Sequence, residues 1–252
     1  MAGKDQRASS ERQRRIAQRL AAERRRQARR RLSWLAAAVI LVVLASAVTV
    51  TTLHRPDQAA AGGTAEPSPQ PTASGTGAFG PEGIPLQTGT PLASIAGAAS
   101  GETVDGIQCE AFEQVTYHIH AHLAVFVNGA PRSIPYGIGV VTPAVTQTTL
   151  GPFAQATRCY YWLHTHASDG IVHVESPTHR QYTLGNFFDI WRQPLSGQRV
   201  GPATGTVTAY VNEVRYTGDP RGIVLTEHSD IQLDVGTPIV SHAPVNWSTA
   251  QL

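Results

Sequence analysis

The chain has 252 residues and a formal net charge of +2, a near-balance that hides two opposed parts. Met1 is its sole methionine, which excludes a methionine-type copper(I) site. No Gly-x-Ser-x-Gly and no Walker-type glycine motif occurs, which sets aside the familiar serine hydrolases and P-loop nucleotide binders.

Residues 1–32 hold Lys4 and eleven arginines against Asp5, Glu11 and Glu23, a net of +9, whereas the remainder of the chain carries a net of −7. Such asymmetry reads as a basic arm joined to an acidic domain. No aromatic residue interleaves with the arginines, so no nucleic-acid partner is expected; an adjoining apolar stretch accounts for the arm's charge. That stretch, "WLAAAVILVVLASAVTVTTL", residues 34–53, has no charged residue. Twenty residues at about 1.5 Å each cover the roughly 30 Å hydrocarbon core of a bilayer. The expectation is one transmembrane helix within 33–54. Its basic flank stays in the cytoplasm, which leaves the C-terminal part outside. A cleavable signal sequence is the rival reading, because "ASA" at 45–47 resembles a cleavage site. Nineteen arginines against one lysine, with abundant alanine, points to a GC-rich bacterial source.

Residues 55–101 are mostly Ala, Gly, Thr, Ser and Pro, and lack hydrophobic periodicity. They read as a flexible, disordered tether. Residues 102–252 read as one extracytoplasmic domain, large enough to bury a core. The fold class expected is mainly β: a compact β-sheet domain, sandwich- or barrel-like, with one short helix. Its strands are "TYHIHAHLAVFVNG", "RCYYWLHTH", "GIVHVES", "GTVTAYVNEVRY" and "SDIQLDVG", short, alternating and bounded by turn residues. Asn128-Gly129 reads as a two-residue hairpin turn, and "AYVNEVRYTG" as a second, independent hairpin. The helix is "TLGNFFDIW", with Thr183 as its cap and Leu184, Phe187, Phe188 and Trp191 on one face. Cys109 and Cys159, in an oxidising compartment, read as a disulfide stapling two strands; a thiolate copper site is the alternative.

The chemistry lies in the histidines. Side chains alternate along a strand, so His118, His120 and His122 share one face, opposite Ile119, Ala121, Leu123, Val125 and Val127. In "WLHTHASDGIVHVESP", the turn "ASDG" marks a hairpin. With a loop of two or four residues, even positions on one strand oppose odd ones on the other. His164 and His166 then join His173 and Glu175 on one face. Imidazoles on neighbouring strands, about 4.8 Å apart, can converge on one ion. The expected ligand set is therefore His118, His120, His122, His164, His166, His173 and Glu175, with Glu175 also a candidate general base. Imidazole with a carboxylate suits a divalent transition metal, zinc or copper foremost, with iron, manganese or nickel as alternatives. A metal-free, pH-responsive or partner-binding histidine face is the competing explanation. His54, His179, His228 and His242 lack this phasing. Trp162 either walls the histidine face or belongs to the core, and Asp169 is either a turn residue or a hydrogen-bond acceptor for a ligand imidazole.

Paired histidines on strands resemble the ligand spacing of α-type carbonic anhydrases and of cupins. The glycine-rich framing of a cupin motif is absent, and no activity is carried over. Two functions are compatible with the pattern. One is a membrane-anchored metal-binding protein that meets a metal-donor or metal-acceptor protein. The other is a metalloenzyme in which three histidines hold an ion that activates water for a hydrolase, hydratase or oxidoreductase reaction.

Overall fold

The computed structural model describes residues 77–252. The basic arm, the predicted span at 34–53 and the first part of the tether lie outside the described residues. Among the described residues no helix is long and apolar enough to cross a membrane.

The strands in chain order are β1 (Cys109–Glu110), β2 (Tyr117–Val127), β3 (Ala130–Arg132), β4 (Val140–Thr148), β5 (Gly151–Tyr161), β6 (Leu163–His164) and β7 (Ile171–Ser176). After the helix α1 (Leu184–Trp191) come β8 (Leu195–Ser196), β9 (Arg199–Val200), β10 (Ala203–Thr204), β11 (Val207–Val211), β12 (Val214–Tyr216) and β13 (Asp230–Val235). The main sheet runs β12-β11-β13-β2-β7-β6, with β3 also paired to β2. A second sheet runs β1-β5-β4, and β8, β9 and β10 form a small third one. The domain is mainly β as expected. No barrel closes among the described residues, which removes the barrel alternative.

Alternation decides the layers. On β2 the residues Ile119, Ala121, Leu123 and Val125 are buried in the core. They are joined there by Ile231, Leu233 and Val235 of its parallel neighbour β13. Helix α1 closes this side: Leu184, Phe187, Phe188 and Trp191 are completely buried. Thr183 caps the helix, accepting from the Asn186 main-chain N–H, while the Thr183 N–H donates to the Asn186 side chain. Each fully buried Leu or Phe contributes about 1.5–3 kcal/mol relative to exposure, so one short helix is held by its packing. Trp162 belongs to this core, edge-on to Tyr182.

Both expected hairpins form. Val127 pairs with Ala130 across Asn128-Gly129, and Val211 with Val214 across Asn212-Glu213. All four turn residues have positive φ, the two-residue turn whose twist matches that of the strands. Of the long β4–β5 hairpin only the end of β5, 158–161, falls in an expected strand, "RCYYWLHTH", which divides between β5 and β6; the outer half is largely exposed, and its polar, Thr- and Gln-rich residues carry little apolar alternation.

The tether boundary at residue 101 is corrected. Residues 77–101 pack onto the domain, burying Glu82, Ile84, Leu92 and Ala99. Gln87 ties this segment down: its Nε2 donates to Leu123 O at 2.7 Å and its Oε1 accepts from the Ile134 N–H at 2.7 Å. Leu92 N–H bonds Ser133 O, and Ala99 N–H bonds Ile190 O at the end of α1. These residues follow no strand or helix period, because they satisfy their backbones against loops.

The disulfide Cys109–Cys159 is present, and it staples β1 to β5 rather than joining the histidine strands directly.

Candidate metal centre

Strand register creates the site. β2 and β7 pair antiparallel with His118 opposite Glu175 and His120 opposite His173. β7 pairs with β6, placing His164 opposite His173. His120, His173 and His164 therefore form a row across three strands. The loop between β6 and β7 has six residues, 165–170, rather than two or four. An even number preserves the expected parity. Gly170 in that loop has φ +87, and a Cβ there would meet Leu123 O at 2.6 Å and His122 Nε2 at 2.8 Å, so the turn admits only glycine.

The row extends into two adjoining clusters whose ligand atoms lie within 4.8 Å of one another. The outer one is His118, His120, His173 and Glu175, and the inner one is His164, His166 and His173. His118 is exposed, whereas the other five side chains are buried. Neighbouring rings stand 4.5 Å (His118–His120), 4.7 Å (His120–His173) and 4.7 Å (His166–His173) apart, and His164 stacks on His173 at 5.2 Å.

Inner-cluster geometry is specific. His164 Nδ1 hydrogen-bonds Tyr161 O at 2.9 Å, and His166 Nδ1 hydrogen-bonds Ala154 O at 2.6 Å. A carbonyl only accepts, so both rings carry their proton on Nδ1. Their Nε2 atoms face each other at 3.1 Å. Two bare lone pairs at that distance repel unless a cation lies between them. Burial and the neighbouring His166 hold the His164 imidazole well below its ordinary pKa, which keeps that ring a neutral lone-pair donor. Glu113, from the loop between β1 and β2, places Oε1 3.3 Å from His166 Nε2, and together with Glu175 it lies within ligand reach of His164. Phe153 of β5 stacks on His166 at 4.7 Å and covers that ring.

In the outer cluster Glu175 Oε1 sits 3.0 Å from His118 Nε2 and 3.4 Å from His173 Nδ1. Burial opposes ionisation of Glu175, but the hydrogen bonds from His118 and His173 outweigh it and hold the carboxyl well below the usual range. Burial, with His173 and His118 adding to it, pushes His120 down to about 2, so that ring is neutral. Two buried atoms here, His120 Nε2 and Glu175 Oε2, have no hydrogen-bond partner, and His173 Nδ1 has only the long contact of 3.4 Å to Glu175 Oε1. Buried polar atoms are normally satisfied, so orphans gathered in one place suit a cluster that could hold a metal ion. A tetrahedral ion with bonds of about 2.0–2.1 Å has ligand atoms about 3.3–3.4 Å apart. The separations His166–Glu113, 3.3 Å, and His173–Glu175, 3.4 Å, match that edge, and those of 3.0 Å and 3.1 Å are a little shorter.

His173 joins the two clusters and is the most constrained ring. Its Nε2 lies 2.6 Å from Glu82 Oε1. Burial disfavours its charge, but Glu82 and Glu175 outweigh burial and raise the ring to about 10. Without a metal this imidazolium is the cation that the two carboxylates share. Asp169 plays the turn role: its Oδ1 accepts from the Ile171 N–H. Burial and the adjacent Glu82 charge push its carboxyl well up, and a proton between the partnerless Asp169 Oδ2 and Glu82 Oε2 would satisfy both.

His122 is a correction. It shares the face of His118 and His120 but lies outside both clusters, opposite Ile171 and Asp230. Its Nδ1 bonds Asp230 Oδ1 at 2.9 Å, and it lines an apolar cavity of about 460 Å³ with Leu86, Phe126 and Val245. Parity tells which face it takes; it cannot tell that the sheet's third row passes from β7 to β13. Glu82 and Glu113 escape the sequence reading. Glu82 lies in a segment with no periodicity, and Glu113 in a loop, so no spacing signal marks either. His179, His228 and His242 lie outside the clusters, against Tyr117, Trp247 and Asp230 respectively.

No protein-family model, curated protein or solved structure matches this chain.

Proposed function

We propose that the protein is a membrane-anchored, extracytoplasmic metal-binding protein whose inner cluster holds a divalent transition metal ion, zinc or copper foremost. The observation that carries the reading is the facing pair His164 Nε2 and His166 Nε2, 3.1 Å apart, with both Nδ1 protons committed to main-chain carbonyls. Metal-bound histidines commonly donate their second nitrogen to a carbonyl or carboxylate, which fixes tautomer and ring direction. Here the chain supplies that arrangement twice, with Glu113 and His173 at the remaining corners. Histidine and carboxylate donors favour these ions over calcium or magnesium.

Extracytoplasmic placement rests on the sequence: the uncharged stretch 34–53 behind an arginine-rich arm. The disulfide supports it, since such bonds persist in oxidising compartments. Binding is favoured over catalysis by two features. Glu175 is held ionised by His118 and His173 and is a weak base, which suits a ligand. The inner rings are buried beneath Phe153, which leaves little room for a substrate. The corresponding role is acquisition or delivery of the ion, with a metal-donor or metal-acceptor protein as partner.

The test is elemental analysis of the full chain, purified in detergent and dialysed. Zinc or copper retained in at least one equivalent per chain, and reduced by one equivalent in His164→Ala, supports the reading. A chain that takes up neither ion after loading overturns it.

A further inference from the structure

Granted the metal reading above, we propose that the centre is dinuclear: a second divalent ion occupies the outer cluster, and the His173 ring bridges it to the inner one through its two nitrogens. Three observations carry this. First, the outer cluster is complete with His173 as the one ring it shares with the inner cluster. Glu175 Oε1 stands 3.0 Å from His118 Nε2 and 3.4 Å from His173 Nδ1, and His120 Nε2 is a buried atom with no hydrogen-bond partner. That is three imidazoles and one carboxylate, a full tetrahedral set. Second, the inner cluster has its own carboxylate, Glu113, on His166, so neither ion depends on the other's anion.

Third, His173 is the one histidine common to both clusters, and its nitrogens face different surroundings. Nδ1 is on the Glu175 side and Nε2 is on the Glu82 side, 2.6 Å from that carboxylate. The two nitrogens of an imidazole diverge, so a ring that spends Nδ1 on the outer ion turns Nε2 away from it, to the Glu82 side, and the ring has a ligand atom within 4.8 Å of those of His164 and His166. One ion at each nitrogen, with bonds of about 2.0–2.1 Å, puts the pair about 6 Å apart. In forming the bridge two metal–nitrogen bonds are made, both ring N–H bonds break, and the two protons pass to solvent. No oxidation state changes.

Charge favours the pair. Glu82, Glu113 and Glu175 gather around these rings, and with the bridging imidazolate they present four negative charges. Two divalent ions neutralise them; with one ion His173 keeps a proton, and the three carboxylates exceed the charge of that ion by one. Each cluster has one solvent-facing ligand: the side chains of His118 and Glu113 are 34% and 38% exposed.

The experiment is a copper(II) titration of the full chain in detergent, with bound metal counted and the EPR spectrum integrated. Two equivalents are expected, with integrated intensity well below that of two isolated ions because the imidazolate couples their spins. His118→Ala, at the most exposed histidine of the two clusters, is expected to keep one equivalent with full single-ion intensity, and so is His164→Ala at the opposite cluster. A single equivalent in the unmodified chain, lost alike in both variants, overturns the dinuclear centre and leaves the metal reading intact. Two equivalents at full intensity overturn the bridge. No bound copper overturns the underlying metal reading itself.

Discussion

His164 and His166 face each other through Nε2 at 3.1 Å while each gives its Nδ1 proton to a main-chain carbonyl, Tyr161 O and Ala154 O. The second carbonyl belongs to β5, and the Ala154 N–H returns a bond to His166 O, so the β4–β5 hairpin fixes the ring. Removing either imidazole leaves the other lone pair without a cation to share. His164→Ala and His166→Ala should each lower zinc affinity by more than about 100-fold, beyond the loss of an outer hydrogen-bond partner. His228→Ala, at a ring stacked on Trp247, should change affinity by less than about threefold. Competition with a chromophoric chelator measures all three. Equal, small effects would remove the convergent site.

Metal uptake should expel protons. Glu82 and Glu175 overcome the penalty of burial and raise His173 to about 10, so at neutral pH the ring is charged and its lone pairs are taken. An ion that uses this ring must displace at least one proton. Affinity should therefore climb with pH between about 6 and 9, by about tenfold per unit for each proton released. Calorimetry in two buffers of different ionisation enthalpy counts the protons, and a buffer-independent heat would exclude His173 as a ligand. The sign reverses for the metal-free chain. A raised folded-state pKa contributes stability that is complete below the ordinary value of 6.5 and is lost as pH rises through about 10.

Much of this was legible because two periods are strict. The two-residue period of β2 and β7 separated Ile119, Ala121 and Leu123 from the histidines. The even loop carried His164 onto the same row, and the 3.6-residue period gave α1 with its cap. What parity cannot give is strand order. It placed His122 with His118 and His120, yet β13 lies beside that end of β2, and Asp230 takes the ring instead. Glu82 and Glu113 were illegible for another reason: they reach the rings from segments whose conformation is set by loop contacts, which leave no repeat in the sequence.

The segment before residue 102 should be indispensable. Ile84 and Leu92 are 1% and 4% exposed, and at about 1.5–3 kcal/mol each their loss alone removes a large share of a typical domain's stability. Gln87 adds two hydrogen bonds to the backbone at Leu123 and Ile134. A chain beginning at residue 102 should unfold at markedly lower urea concentration than one beginning at residue 77, or fail to fold. It should also bind metal more weakly, since it lacks Glu82. Equal midpoints for the two would show that 77–101 is only draped on the surface.

The disulfide gives a prediction of simple size. Cys109 and Cys159 close a loop with a sequence separation of 50, for which chain entropy in the unfolded state gives about 4 kcal/mol. The double variant Cys109→Ala and Cys159→Ala should lose stability of that order in urea while still binding metal, because neither sulfur belongs to a cluster. Loss of metal at full stability would instead place the thiols in the site.

Asp230 and Asp234 hold the C-terminal return over the histidine face, and they should affect stability without touching the metal. Asp234 Oδ1 accepts from Val240 N–H, and Asp230 Oδ2 accepts from Val245 N–H while its Oδ1 binds His122. Each of these donors is left unsatisfied when its carboxylate is removed, at a cost of about 1–3 kcal/mol. Burial opposes the charge of Asp230, but His122 and Val245 outweigh it and lower its pKa. Its contribution is therefore present above the ordinary 3.8 and is lost as pH falls through the lowered folded-state value. Asp230→Asn should destabilise the chain at neutral pH, and the difference from the unmodified chain should shrink as the solution is acidified below pH 3.8. Metal stoichiometry should be unchanged in Asp230→Asn and in His122→Ala. A lost equivalent in either variant would bring His122 back into the ligand set.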